Sequence, residues 1–560
     1  MAPLKRAIVT SLALVCASTN AFPTATTLNG TYTGLHNATT NLDYFLGIPY
    51  AQPPINALRF RNPVPLNTSW TGTHTAQALG NSCIGYGSDM AGLTLSEDCL
   101  NLNIVRPAGS FSEPLPVAVW FYGGGYYEGS ANRPAYNQTR FVANSVEMGL
   151  PVIGVGFNYR LTAFGWLWSE ETQALGDTNM GLRDQRLVLQ WIQENIAAFG
   201  GDPRRVTIYG ESAGGISIGK HLMAYGGRDD GLFHNAILES GGPLEKWPYG
   251  FTNATEYMLT VYNNLTDATC CSNATSPLEC LRYLPFSALN AALNITNTWI
   301  AGTGLGPFIA TLNNDILLQP ATTQISTGAF LKVPILYGTN TDEGTAIAPA
   351  GINTDGDFAR EISKGGPDVP TIETLQLLYP DINAIGIPAT YNPLPKTPSS
   401  YGAQWKRAAA YWGDIVEHAP RRAVTTAWAK HNTTAYSYRF NVQPVGNADA
   451  IGATHFAEVA WVFDNVDGVG YEINPFGDVQ RYRELAGLMG RMWVSFVWFS
   501  DPYWHGLSDI PTWPKYEVAG AGVGSNFVFE GNRSSCVEVD DFRAAQIQYL
   551  IDVMPGQFHY

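Results

Sequence analysis

The sequence predicts an α/β fold, with a central, mostly parallel sheet and helices on both faces. Three observations predict it. Short apolar runs recur without polar alternation, as strands covered on both faces require. Glycines close several of these runs. Segments of helical periodicity lie between them, and strand–helix alternation is the pattern of a parallel sheet. In order, the runs are Val117–Tyr122 (VAVWFY), Val152–Phe157 (VIGVGF), Val206–Tyr209 (VTIY), Ala236–Glu239 (AILE) and Val333–Tyr337 (VPILY), with YSYRF at Tyr436–Phe440 as an apparent further strand. Gly181–Ala198 reads as a helix, because Leu187, Leu189, Trp191, Ile192 and Ile196 fall close to helical spacing. Two stretches differ. Residues 252–314 are rich in Asn, Thr and Ala, and residues 348–400 in Pro and Gly. Neither has enough strong periodic elements for a core of its own, so both are expected to be cap or loop segments inserted above or beside the sheet. Residues 22–560 are therefore expected to form a single domain.

Composition narrows the function. The chain is 45% hydrophobic, enough for a sizeable core, and its formal net charge is −15. An acidic chain with no Lys/Arg run is repelled by a phosphate backbone, which argues against nucleic acid as a partner. The N-terminus has the pattern of a signal peptide over residues 1–21. Lys5 and Arg6 precede an apolar stretch, Ala7–Ser18, too short to span a bilayer, and Ala21 is a suitable last residue before cleavage. No later run has the ~18 apolar residues of a membrane anchor. Export to the extracellular space is the expectation. Ten N-x-[ST] sequons agree with it, at Asn29, Asn37, Asn67, Asn137, Asn253, Asn264, Asn273, Asn294, Asn432 and Asn532. Of the seven cysteines, loss of Cys16 with the signal leaves Cys83, Cys99, Cys270, Cys271, Cys280 and Cys536. Six thiols in an oxidising compartment permit three disulfides in any of fifteen pairings.

The sharpest chemical signal is Gly210-Glu211-Ser212-Ala213-Gly214. G-x-S-x-G alone is weak, but here it joins the strand VTIY to the helical ISIGKHLMA. That is the setting in which the α/β-hydrolase fold lifts a nucleophilic serine above its sheet. A helix N-terminus then points backbone N–H groups at a developing negative charge. The N–H of Ala213 is one expected oxyanion donor. Gly124 and Gly125, in the turn after VAVWFY, are the others, because glycine lets the backbone approach a substrate oxygen. A serine also needs a base, and the chain order nucleophile, acid, histidine leaves His418, His431, His455 or His505. The third member orients the imidazole. Asp342 or Glu343 suits that role, in a turn directly after VPILY, where open α/β sheets place functional groups.

These motifs resemble the type-B carboxylesterase/lipase family, which includes cholinesterases and many secreted fungal esterases. Phe199–Gly214 (FGGDPRRVTIYGESAG) is similar to the family's serine signature along its whole length, and Ser96–Asn103 (SEDCLNLN) to its second signature. Phe45–Pro54, Asn158–Leu161, Gly181–Asn195 and Asp342–Gly344 match in order, so the resemblance runs from about residue 30 to the end. It implies a secreted glycoprotein that hydrolyses carboxylic esters. It implies Ser212 as nucleophile, Glu343 as acid and His455 as base, with Gly124, Gly125 and Ala213 as oxyanion donors. Ser240 matches a serine that supports the acid–histidine pair. Cys83–Cys99 and Cys271–Cys280 match family disulfides, which leaves Cys270 and Cys536 without an assigned partner.

One departure bears on substrate. Fifteen residues separate Cys83 from Cys99, and they are Gly-rich, lack a strong apolar face and contain no Trp. The family's fungal lipases carry a longer amphipathic lid there, and cholinesterases a choline-binding Trp. Small to medium esters are the expected substrates, with Tyr126, Tyr127 and Trp247 either lining the acyl or alcohol pocket or packing in the core. The alternatives are a lipase or sterol esterase acting on long-chain esters, an esterase committed to one natural product, and an inactive binding protein on the same fold. No metal or organic cofactor is required by the expected acyl transfer.

Overall fold

The computed structural model describes residues 22–244, 254–296, 308–382, 399–518 and 522–558. The expected signal peptide, Trp247 and the sequon residue Asn253 lie outside these residues. The chain builds an eleven-stranded sheet from β1 (Leu35–Asn37), β2 (Leu42–Pro49), β3 (Asn101–Pro107), β4 (Leu115–Phe121), β5 (Ile153–Phe157), β6 (Gly201–Glu211), β7 (Asn235–Glu239), β8 (Ile335–Asn340), β9 (Ala435–Asn441), β10 (Ser525–Glu530) and β11 (Cys536–Val539). Their spatial order is β11-β10-β9-β8-β7-β6-β4-β5-β3-β2-β1. The strands from β5 to β10 in that order are mutually parallel, and both flanks are antiparallel. A smaller sheet of Thr24–Thr26, Thr31–Thr33 and Thr73–Thr75 stands beside it.

The central strands are buried along their full length, which is why their sequences do not alternate. Neighbouring residues of β4 show the two covered faces. Trp120 packs on Tyr209 and Phe463, while Phe121 packs on His221 of α2. The covering helices include α1 (Met180–Asn195), α2 (Ala213–Gly227), α3 (Ala419–Lys430) and α4 (Gln480–Phe499). The first of these stops short of the expected Ala198. A tight turn at Ile196–Phe199 and the left-handed Gly200 end it. The strand expected at Val333–Tyr337 instead begins at Ile335. Pro334 has no N–H to give to a ladder, although its carbonyl accepts from Ala236 N–H at 3.1 Å.

The two atypical stretches hold more regular structure than their composition suggests. Residues 252–314 contain helices at Ala254–Ala268, Pro277–Tyr283 and Phe286–Thr296. Ser276 caps the second of them, and Pro277 sits where its missing N–H costs nothing. Asp355–Ser363 and Val369–Leu378 are helical in the other stretch, started by Thr354 and Asp368 as side-chain caps. Disulfides join Cys83 to Cys99 and Cys271 to Cys280. Cys270 and Cys536 are free thiols, so the sequence's allowance of three bridges reduces to two.

Below β9 and β10 a buried ion cluster ties α3 to the C-terminal strands. Asp540 accepts from Arg421 at 2.7 and 2.9 Å, Arg422 at 3.0 Å, Tyr516 at 2.7 Å and Asn526 at 3.0 Å. Burial alone would raise the Asp540 carboxyl, but the two guanidinium groups outweigh it and hold it well below the carboxylate range. A depressed carboxyl contributes stability above its unfolded pKa of about 4, and that stability is lost as pH falls through the folded value. Asp540→Asn would leave two arginines buried without their counter-charge. It should cost about 3–5 kcal/mol of stability at neutral pH, with a smaller deficit in strong acid, as read by thermal unfolding.

Candidate active site

The strand-to-helix turn at β6–α2 holds Ser212 at a positive φ outside the ordinary left-handed region, φ 56° and ψ −126°. Such a backbone persists in a non-glycine residue only when its surroundings enforce it. Here Ser212 N–H donates to Glu239 O at 2.9 Å, and Ser212 O accepts from Ile216 N–H at 2.8 Å. The flanking glycines are steric necessities. A Cβ on Gly210 or Gly214 would lie 2.4 or 2.0 Å from the carbonyl oxygen of Phe121 on β4. The motif's spacing therefore follows from how closely the turn crosses its neighbouring strand.

His455 Nε2 lies 2.9 Å from Ser212 Oγ, and His455 Nδ1 lies 2.7 Å from Glu343 Oε2. An ionised carboxylate only accepts, so Nδ1 carries the hydrogen and Nε2 is free to accept from the serine. Glu343 is completely buried in the turn after β8. Its Oε1 accepts from Ser240 Oγ at 2.5 Å and from Asn340 N–H at 2.6 Å. Asp342, the adjacent alternative, turns elsewhere. It exchanges backbone and side-chain bonds with Ala453, both at 2.9 Å, and so fixes the His455 loop to the acid's turn. The competing histidines are engaged elsewhere or exposed. His418 pairs with Thr339, His505 accepts from Leu507 N–H, and His431 is exposed.

Three further buried carboxyl groups surround this line, and none of them is among the site residues expected from the sequence. Glu211 Oε1 is 3.3 Å from His455 Nε2. Glu458 accepts from Asn340 Nδ2 at 2.5 Å and more weakly from Ser240 Oγ at 3.4 Å. Glu239 accepts from Trp493 Nε1 at 2.7 Å. Burial raises the pKa of Glu211 and Glu239 well above the carboxylate range, and burial with the nearby Glu343 charge brings Glu458 to about 7. Burial would lower the imidazole of His455, but Glu211 and Glu343 reverse that and hold it well above its ordinary value. The signal for these acids was available in the sequence: Glu211 lies inside the serine motif, Glu239 ends an apolar run, and Glu458 is three residues past His455.

In the turn after β4, whose Gly123 lies against Ser212, Gly124 and Gly125 adopt φ +95° and +61°, a turn that favours glycine. Among the described residues, no acceptor bonds the N–H of Gly124, Gly125 or Ala213. Tyr126 is fully buried, stacked 3.9 Å from Trp166 and bonded by Ser217 Oγ at 3.3 Å. Of the two roles expected for it, its burial matches the core one. Tyr127 is partly exposed, its ring 5.9 Å from Tyr86.

The Cys83–Cys99 loop is fastened to this turn at several points. Tyr86 N–H donates to Tyr127 O at 3.0 Å, and Asp89 N–H donates to Glu128 Oε2 at 2.8 Å. Arg133 pairs with Asp89 at 2.6 Å. Tyr86 OH reaches Asn290 at 2.7 Å, and Arg59 grips Glu97 through two bonds of 2.5 and 2.7 Å.

The family model for the carboxylesterase family matches residues 19–532. Lipase 5 of Diutina rugosa is 32% identical, with 97% of each chain covered. Lipase 2 of Geotrichum candidum is 34% identical over 82% of this chain and 84% of that protein. Secreted lipase 1 of Botryotinia fuckeliana is 31% identical over 96% and 94%. The crystal structure of Aspergillus niger EstA superposes with a TM-score of 0.81 at 27% identity, over 96% of this chain and 99% of that one. The fold is accordingly an α/β-hydrolase fold.

Proposed function

Because the chain belongs to the carboxylesterase family and is a carboxylic ester hydrolase, we propose that it works through an acyl-enzyme on Ser212 and prefers small to medium esters. The hydrogen-bonded line Ser212–His455–Glu343 carries this reading. His455 takes the serine proton as Oγ attacks the ester carbonyl. Glu343 holds the imidazole tautomer and stabilises the imidazolium. The N–H groups of Gly124, Gly125 and Ala213 receive the oxyanion, each contributing about 3 kcal/mol to the barrier reduction. His455 returns the proton to the leaving alcohol, then activates water for deacylation.

The preference for smaller esters rests on the fastened Cys83–Cys99 loop. A lid has to swing away from a lipid surface, and this loop would break the Arg133–Asp89 and Arg59–Glu97 pairs to do so. Across p-nitrophenyl esters from acetate to palmitate, kcat/KM should be greatest for the short chains. No jump in rate should occur as substrate passes its solubility limit. A long-chain optimum with such a jump would favour the second reading, a lipase, which is supported by relatives named as lipases.

Secretion is part of the same proposal. Relatives include proteins named as secreted lipases. Asn37, Asn67, Asn137, Asn264, Asn273, Asn294, Asn432 and Asn532 are all exposed, as glycan attachment requires. N-terminal sequencing of protein from culture medium should begin at Phe22, and endoglycosidase should lower its mass.

A further inference from the structure

The β6–β10 register sets one row of residues across the sheet behind the triad. Glu211 pairs with Glu239, Glu239 with Gly338, Gly338 with Tyr438, and Tyr438 with Phe527. Paired residues of parallel strands point to the same face. Gly338 leaves a gap in this row that the Tyr438 ring fills, since a Cβ on Gly338 would lie 2.0 Å from it. Tyr438 therefore leans across β8 toward Glu239. Trp493 of α4 closes the space from the other side, bonded to Glu239 Oε1 and packed edge-on to Tyr438 with ring centroids 5.4 Å apart. Inside this enclosure Glu239 Oε2 and Tyr438 OH are buried with no hydrogen-bond partner among the described residues. Buried polar atoms on this scale require a bridging group, and water fits two or more of them at once.

We propose that Glu239 and Tyr438 are positioning residues for ester hydrolysis, enclosing an ordered water that fixes the Glu239–Ser240 peptide against the nucleophile and the acid. That peptide carries both connections: Glu239 O accepts from Ser212 N–H, and Ser240 Oγ donates to Glu343. The Glu239 carboxyl is uncharged in this arrangement, its Oε2–H donating to the water and the water to Tyr438. Its surroundings favour that form. Glu211 and Tyr209 face it from β6, Glu458 from the turn beyond His455, and Tyr438 from β9, while burial removes solvent.

The inference rests on the serine-esterase reading, and the experiment separates the two. Stoichiometric titration with an irreversible phosphonate counts active sites, so rates per site are unaffected by misfolded protein. Glu239→Ala and Tyr438→Phe should each lower kcat about tenfold with KM little changed, because misplacing the nucleophile costs rate more than binding. Glu239→Gln keeps an acceptor for Trp493 and a donor for the water, and should stay within about twofold of wild type. It should also leave the acid limb of the pH profile in place. His455, whose protonation sets that limb, faces Glu211, Glu343 and Glu417. Removing a real charge at Glu239 would move its pKa, and the limb, downward. Wild-type rates per site in both Glu239→Ala and Tyr438→Phe would overturn the inference, as would an acid limb displaced downward in Glu239→Gln. A wild type that does not take up the phosphonate at Ser212 would instead overturn the serine reading.

Discussion

Ser212→Ala should lower kcat by about 10⁶-fold while KM for short esters stays within a small factor, because alanine removes the nucleophile and leaves the rest of the site standing. The elbow's backbone already occupies a strained region at this residue, φ 56°, and alanine tolerates it no worse than serine. The protein should therefore fold normally, and its thermal unfolding should match wild type. A residual rate of about 10³–10⁴ over the uncatalysed reaction is expected from the free N–H groups of Gly124, Gly125 and Ala213. Hydrolysis of p-nitrophenyl butyrate and a phosphonate inhibitor together make the check. A variant that keeps wild-type turnover, or a wild type that does not take up the phosphonate at Ser212, would end the acyl-enzyme proposal.

The second large effect is expected at Glu343. Glu343→Gln keeps the side chain's shape but offers His455 Nδ1 an amide in place of a carboxylate. The imidazole can then adopt the wrong tautomer, and kcat should fall by about 10³–10⁴-fold. The pH profile gives an independent sign. Glu211 and Glu343 hold the His455 pKa above its ordinary value, so wild-type kcat/KM should fall away as pH drops through a point above about 6.5. Loss of the Glu343 charge disfavours the imidazolium and should move that limb to lower pH, even as the plateau collapses. Asp342→Asn serves as the comparison. Asp342 bonds Ala453 rather than the imidazole, so its removal should loosen the His455 loop without moving the limb in this way. If Asp342→Asn reproduced the displacement of the limb and Glu343→Gln did not, the two acids would have to exchange roles.

The proposed nucleophile was legible from a few adjacent residues, because its geometry is local. A glycine two residues to either side of Ser212, a strand before and a helix after are enough to specify the elbow, since the constraint is the approach of one turn to one neighbouring strand. The apolar runs of β4 to β8 were legible for the same reason. A strand covered on both faces has no polar residue to interrupt it. The partners of Ser212 were a different matter. His455 is 243 residues from Ser212, and four histidines satisfied the chain order equally. Glu343 and Asp342 are adjacent and chemically alike. Only family resemblance separated them in the sequence, and the structure adds the physical reason: one carboxyl faces the imidazole, the other the loop that carries it.

What the sequence determined by itself was whatever depends on neighbours in the chain: the elbow, the buried strands, the sequons and the short loop between Cys83 and Cys99. Tertiary structure decided whatever depends on strands meeting. It paired Cys271 with Cys280 and left Cys270 free, sent Tyr126 into the core, and fastened the short loop through Arg59 and Arg133. It also gathered Glu211, Glu239, Glu343 and Glu458, from four separate places in the chain, into one buried enclosure. A carboxyl's pKa is set by burial and by the charges that face it, and neither exists until the sheet has closed around it.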